Sequence, residues 1–245
     1  MHDVTTELVV ELGATDRLVG VGEPVDLAES AARAVAGVQR VGGAESIFSV
    51  RPEVMLGMGV VAEKDPDLVQ RLKVAGVDVY LPDPETLDDV SQLTREVAKR
   101  VRAVPAGERI VARLASAGTR AEPAPTRPVR VFVYDCCDPP FTTGKKTVLN
   151  DLITRAGGQN VFADLDADWT HVSWEEAVAR RPELVVIHAY QHEGQGDVAD
   201  KLKALRAIPA LGQLPTAVLP LGCSLGGLRS IEGLERLRAA FRERA

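Results

Sequence analysis

Aromatic side chains are scarce in this chain: two Trp, three Tyr and five Phe make up 4% of 245 residues. A core built from it must rest on aliphatic side chains, so the position of each ring is informative. Cysteine is scarcer still. Cys136, Cys137 and Cys223 are too few to staple a small scaffold, which excludes a disulfide-built miniprotein. Positive charge is not in surplus either. Twenty-nine Lys and Arg stand against 35 Asp and Glu for a net charge of −6, so no global field exists to hold a polyphosphate backbone, and nucleic acid is excluded as a partner. No apolar run reaches the roughly 18 residues of a membrane-spanning helix, and residues 1–25 lack a basic start followed by an apolar stretch. What is present is 45% hydrophobic and 26% charged, with 21 Gly and 15 Pro. That is enough apolar surface for real cores, and two compact lobes fit the length.

Periodicity gives an alternation of helix and strand in each half. Residues 4–12 carry one apolar helical face, and residues 17–21 (RLVGV) read as a short buried strand. Helices are expected over 26–35, 44–50 and 65–75, with strands over 54–61 and 77–81. Thr86 and Asp89 form a capping box that opens a helix running to about Val104. Composition changes between Pro105 and Pro128, where Pro123, Pro125 and Pro128 follow a possible helix at 108–117. The second half reads as strand 129–134, a Pro-rich loop (CDPPFTTG), helix 146–156, a loop holding Trp169, a helix capped by Ser173, strand 184–188, helix 198–207, strand 216–221 and a last helix from Ser230. Strand–helix alternation implies parallel sheets covered on both faces, with ligands beyond the carboxyl ends of the strands.

The loops after those strands hold the candidate chemistry. Phe141 sits in a proline-restricted loop that reads either as a presented aromatic ring or as a capped turn whose ring fills the sheet edge. Trp169 in DLDADWTHVS reads as a lid over the core or a stacking surface. Cys136 and Cys137 follow one strand and Cys223 another, so three thiols could converge on a soft metal; a vicinal disulfide or inert buried thiols are the alternatives. His188 closes a strand and His192 follows, with Tyr190 between them. Glu45 and Glu175 each stand in the first turn of a helix, where a carboxylate is stabilising in itself and where a pair, one per lobe, could dock on a basic partner. No GxxxxGK[ST], GxGxxG, GxSxG or HExxH motif occurs, and Gly144-Lys145-Lys146-Thr147 reads as entry into a helix.

The stretch PPFTTGKKTVLNDLITRAGGQNVFADLDADWTHVSWEEAVARRPELVVI resembles the C-terminal lobe of the class III periplasmic substrate-binding proteins of ABC transporters, a group that includes the vitamin B12-binding and iron-chelate or haem-binding members. TTELVVELGATDRLVGVG and GGAESIFSVRPEVMLGMG resemble its N-terminal lobe, so the likeness covers essentially the whole chain. It implies an α/β fold of two Rossmann-like lobes with parallel central sheets, over 1–104 and 129–245, joined by a connecting helix and Pro-rich linker over 105–128, with the ligand cleft between lobes. By position, Phe141 and Trp169 fall where B12-binding members lay rings against the corrin, and Glu45 and Glu175 fall where the lobes meet arginines of the permease dimer. Asp135, Cys136, Cys137 and Cys223 would line the cleft. The N-terminal aromatics of B12-binding members are not matched, and Glu23, Met58 and Glu63 stand in their place.

The resemblance also implies a strand before the first helix, which is expected to be missing here together with an export signal. His2 would then join Cys136, Cys137 and Cys223 as a candidate metal contact. The expected activity is binding without turnover by a monomeric extracytoplasmic lipoprotein with no intrinsic cofactor. Its cargo is expected to be a corrinoid first, a ferric siderophore or haem second and a bare transition metal third. The rival reading is a chelatase-like or metallocluster-assembly enzyme with His188 as its base.

Overall fold

A computed structural model describes residues 2–119, 127–190 and 198–242. Contacts divide the chain into two units, Met1–Pro84 with Asp88–Ala115, and Glu85–Leu87 with Ser116–Ala245.

In the first unit, α1 (Asp3–Glu11) buries Val4, Leu8 and Val9, which recur at helical spacing. His2 caps it, its Nδ1 accepting the Val4 N–H at 3.3 Å. The carboxylates of Asp3 and Glu7 face inward and accept backbone N–H groups of Val25, Asp26 and Ala28 at 2.6–2.8 Å, which fixes the turn before α2 (Glu29–Ala34). Then follow α3 (Ala44–Ser49), β1 (Val54–Leu56), α4 (Val60–Lys64), α5 (Pro66–Val74), β2 (Asp78–Tyr80), α6 (Leu87–Arg100) and α7 (Val104–Thr119). β1 and β2 pair in parallel, Val54 opposite Asp78 and Leu56 opposite Tyr80.

Three expectations change here. Residues 17–21 are not a strand: a 3-10 turn takes Thr15–Arg17, Val19 is 52% exposed, and only Val21 pairs, with Arg40. The strand expected over 54–61 ends at Leu56, because α4 begins at Val60. The helix opened near Thr86 stops at Arg100; Arg102 takes a left-handed φ of 50°, and a new helix begins at Val104 with Pro105 in its first turn. Gly107 lets this helix approach α6 closely, since a Cβ there would collide with the Ala98 methyl. Of the connecting segment expected over 105–128, the part through Ala115 belongs to the first unit and the chain from Ser116 to the second.

The second unit carries β3 (Val129–Tyr134), β4 (Phe141–Thr143), α8 (Val148–Arg155), β5 (Gly158–Asn160), β6 (Trp169–His171), α9 (Trp174–Ala179), β7 (Leu184–Ala189), α10 (Val198–Arg206), α11 (Pro209–Gly212), β8 (Thr216–Pro220) and α12 (Ser230–Arg242). Its main sheet has the order β5-β3-β7-β8, all parallel. β7 is buried almost end to end, hence its unbroken apolar run LVVI. Phe132, Phe162, Val185, Ile187, Leu205 and Leu211 form one core cluster. Each side chain of that size is worth about 1.5–3 kcal/mol when fully buried. α12 packs against α8, with Leu234, Leu237 and Phe241 buried.

β4 and β6 form a separate antiparallel pair, Phe141 opposite His171 and Thr143 opposite Trp169. Phe141 and Trp169, expected in loops, are thus held on strands. Buried Asn160 fastens β4 to the main sheet, donating from Nδ2 to the Thr143 carbonyl at 2.9 Å while its Oδ1 accepts the Phe162 N–H at 3.0 Å. Gly144 ends β4 where a Cβ would run into the carbonyl oxygens of Ala167 and Leu165. Thr147 then caps α8, and Lys145 and Lys146 both pair with Asp166, so the GKKT stretch is a helix entry.

Candidate functional site

Parallel pairing puts the carboxyl ends of β3, β7 and β8 side by side, and their last residues build a buried polar brace. Asp135 directly follows β3, His188 and Tyr190 come from the end of β7, and Ser224 follows β8 through the turn Leu221–Cys223. His188 Nδ1 lies 2.6 Å from Asp135 Oδ1 and Nε2 lies 2.7 Å from Ser224 Oγ. A carboxylate only accepts, so Nδ1–H donates to Asp135, while Nε2 shares a hydrogen bond with the Ser224 hydroxyl. Tyr190 donates its hydroxyl to both Asp135 oxygens, at 2.8 and 2.7 Å. Lys201 of α10, 3% exposed, donates to the His188 carbonyl at 2.7 Å and stacks 4.2 Å from the Tyr190 ring centroid.

Burial alone would raise the Asp135 pKa. The hydrogen bond and charge of His188, the Tyr190 bond and the charge of Lys201 outweigh it and hold the carboxyl below the ordinary carboxylate range. Burial also lowers the Lys201 pKa, against the pull of Asp135. The order Asp–His–Ser is that of a nucleophile relay, yet His188 is 0% and Ser224 4% exposed, and both ring nitrogens are engaged. This arrangement stiffens a sheet edge; it does not present a base.

Against the brace stands an aromatic platform. The Trp169 ring lies 5.6 Å from the His188 ring, and Phe141 stacks on Trp169 at 5.9 Å with 24° between planes. His171 adds a tilted contact with Phe141 at 4.8 Å. Phe141 and Trp169 are half-buried, so each residue is packed in part and exposed in part. Below them, Trp174 packs edge-on against Tyr134 at 5.1 Å and donates its indole N–H to Asp138 at 3.0 Å.

The thiols do not form the converging set that was expected. Cys136 and Cys137 are joined in a disulfide and Cys223 is fully buried, so in this form the first two offer no thiolate. Among the described residues, no group of three or more His, Cys, Asp or Glu side chains is placed to hold a metal ion. His2 belongs to the first unit and its Nδ1 is spent on capping α1; burial, opposed by Asp3, lowers its pKa. Met58 is buried and Glu23 exposed, both in the first unit. His192 lies outside the described residues.

Glu45 and Glu175 are both exposed in the first turns of α3 and α9, and neither has an ion-pair partner among the described residues. The neighbouring Glu176 differs, since Arg180 engages it at 2.8 Å. Sequence reading missed Ser224, Lys201 and Trp174 as site residues. Ser224 was signalled by its place after β8, beside the strand that ends in His188. Lys201 was signalled by its spacing from Leu205, which puts it on the buried face of α10. Trp174, next to the Ser173 cap, carries no sequence signal of its own for a site.

The sequence profile of the family described as "Periplasmic binding protein" matches residues 2–217. The vitamin B12-binding protein of Yersinia pestis (strain Pestoides F) is 28% identical over 195 residues, covering 77% of this chain and 68% of its own. A periplasmic binding protein of Veillonella parvula superposes with a TM-score of 0.85 at 21% identity, covering 97% of this chain and 88% of that one. The periplasmic heme-binding protein RhuT of Roseiflexus sp. RS-1 superposes with a TM-score of 0.78 at 25% identity, covering 99% and 96%. Among the described residues no helix is long and apolar enough to cross a membrane. The match over residues 2–217 shows that the chain belongs to the periplasmic binding protein family, a family of binding proteins.

Proposed function

We propose that this chain captures a metal chelate outside the cytoplasmic membrane, a corrinoid before a ferric siderophore or haem, and delivers it to an ABC permease. The observation that carries the reading is the Phe141–Trp169 stack, two half-buried rings on paired strands beside a buried polar brace. A flat, polarisable macrocycle gains dispersion contact on such a platform that a bare ion does not. The vitamin B12-binding relative supports the choice of corrinoid over haem, and the paired cysteines suit an oxidising compartment. The Cys136–Cys137 disulfide and the full burial of Cys223 argue against a bare transition metal held by these sulfurs as cargo. Glu45 and Glu175, exposed and unengaged by other described side chains, are the proposed contacts to permease arginines, with the protein acting as a monomer.

The test is a spectroscopic titration of purified protein with cyanocobalamin, hemin, a ferric hydroxamate and free divalent cobalt. Saturable one-to-one binding of cyanocobalamin, tighter than that of the other three, supports the reading. Tight binding of cobalt alone, or of none of the four, contradicts it.

A further inference from the structure

The segment from Asp135 to Phe141 links the brace to the platform, and its ends are tied together. Asp135 N–H donates to the Phe141 carbonyl at 3.0 Å, and Phe141 N–H donates to the Cys136 carbonyl at 2.9 Å. Between these ties the chain loops outward through Cys137, Asp138 and Pro139, all exposed. Single contacts pin the loop: Tyr134 hydroxyl to the Cys137 carbonyl at 3.2 Å, Trp174 indole to Asp138 at 3.0 Å, and His171 Nδ1 beside the Pro139 carbonyl at 3.0 Å. The Cys136–Cys137 disulfide is the covalent tie inside it. Cys137 takes φ +76°, a left-handed conformation that side-chain-bearing residues rarely adopt.

We propose that the Cys136–Cys137 disulfide is an exchange site for small thiols, and that opening it releases the segment that holds Phe141 beside Trp169. Cys137 is the sulfur attacked, because its residue is exposed whereas Cys136 is half-buried next to the bridge to Phe141. A small thiolate attacks Cys137 Sγ, a mixed disulfide forms, and the electron pair of the broken S–S bond leaves on Cys136 Sγ, which takes up a proton. A second thiolate attacks the small-molecule sulfur of the mixed disulfide and frees Cys137 as a thiol. Two small thiols are thereby oxidised to their disulfide as the protein disulfide is reduced to two thiols. Without the covalent tie Cys137 is free to return to negative φ, which withdraws its carbonyl from Tyr134 and loosens the adjoining Cys136–Phe141 pairing. The site thus makes the platform sensitive to thiol status; that it thereby sets cargo affinity rests on the function proposed above, whereas exchange and loosening do not.

The experiment needs no cargo, so its failure is separate from that of the binding reading. Native protein is treated with dithiothreitol, the reagent is removed, reactive thiols are counted under native conditions, and amide hydrogen exchange is followed by NMR. Two reactive thiols are expected, with Cys223 unreactive until unfolding. Exchange at the Asp135 and Phe141 amides is expected to rise roughly tenfold while amides of β3 keep their rates. Reoxidation restores the slow rates, and the Cys136→Ser/Cys137→Ser variant shows the fast rates with or without dithiothreitol. Should that variant not fold, the reduced and reoxidised wild type decide the matter. Failure to release two thiols from the native protein overturns the proposal, and so does their release with unchanged rates at Asp135 and Phe141.

Discussion

His188 gives one ring nitrogen to Asp135 at 2.6 Å inside a fully buried edge of the sheet, and Tyr190 completes the coordination of the same carboxylate. Three consecutive strands of a parallel sheet therefore end in one hydrogen-bonded unit. Replacing Asp135 by Ala leaves the imidazole N–H and the Tyr190 hydroxyl without their acceptor. The expected loss is roughly 1–3 kcal/mol of unfolding free energy, the cost of orphaning the buried His188 N–H, since Tyr190 is half-buried. Urea unfolding measures it. A loss below about 0.5 kcal/mol, typical of a surface site, contradicts a brace.

Glu183 predicts a distinct acid dependence. Arg127 grips its carboxylate with two N–H groups at 2.8 and 2.6 Å, and the Arg130 backbone N–H adds a third at 3.1 Å. The Arg127 hydrogen bond is the main cause that pulls the Glu183 pKa from 4.5 to about 2. The folded state thus binds this proton less readily than the unfolded chain, so the stabilisation is complete above about pH 4.5 and is lost as pH falls toward 2. Arg127 is 68% exposed, and salt screening keeps the effect small. Comparing wild type with Glu183→Gln, the stability gap is expected to close over that range; a gap independent of pH contradicts the assignment.

Glu45 and Glu175 separate docking from capture. Glu175 stands beside Glu176, which is committed to Arg180, and both Glu45 and Glu175 are exposed. The Glu45→Arg/Glu175→Arg variant is expected to keep its chelate affinity within about twofold while uptake through the permease falls at least tenfold, because reversed charge at a docking contact repels as well as fails to attract. Uptake equal to wild type contradicts the docking role.

Much of the fold was legible because periodicity and end signals agreed. Residues 129–134 and 184–189 are apolar runs bounded by turn residues, and the Ser173 cap starts α9 as read, its Oγ accepting the Glu176 N–H at 3.0 Å. Misreadings arose where pairing, not pattern, decides. Leu18 to Gly20 have strand-like composition but pair with no other strand among the described residues, and the three-residue strands β4 and β6 exist through their mutual register and the anchor from Asn160. The site was half legible. Phe141 and Trp169 stood out as rare rings between turn residues, whereas the contact between them, and the meeting of Asp135, His188 and Ser224 from segments up to 89 residues apart, are properties of strand order.

The central claim is that cargo lies on the Phe141–Trp169 platform, and titrating the Trp169→Ala variant with cyanocobalamin tests it most directly. Affinity is predicted to fall at least tenfold, about 1.4 kcal/mol, in a variant that circular dichroism shows still folded. Wild-type affinity in that variant contradicts the account.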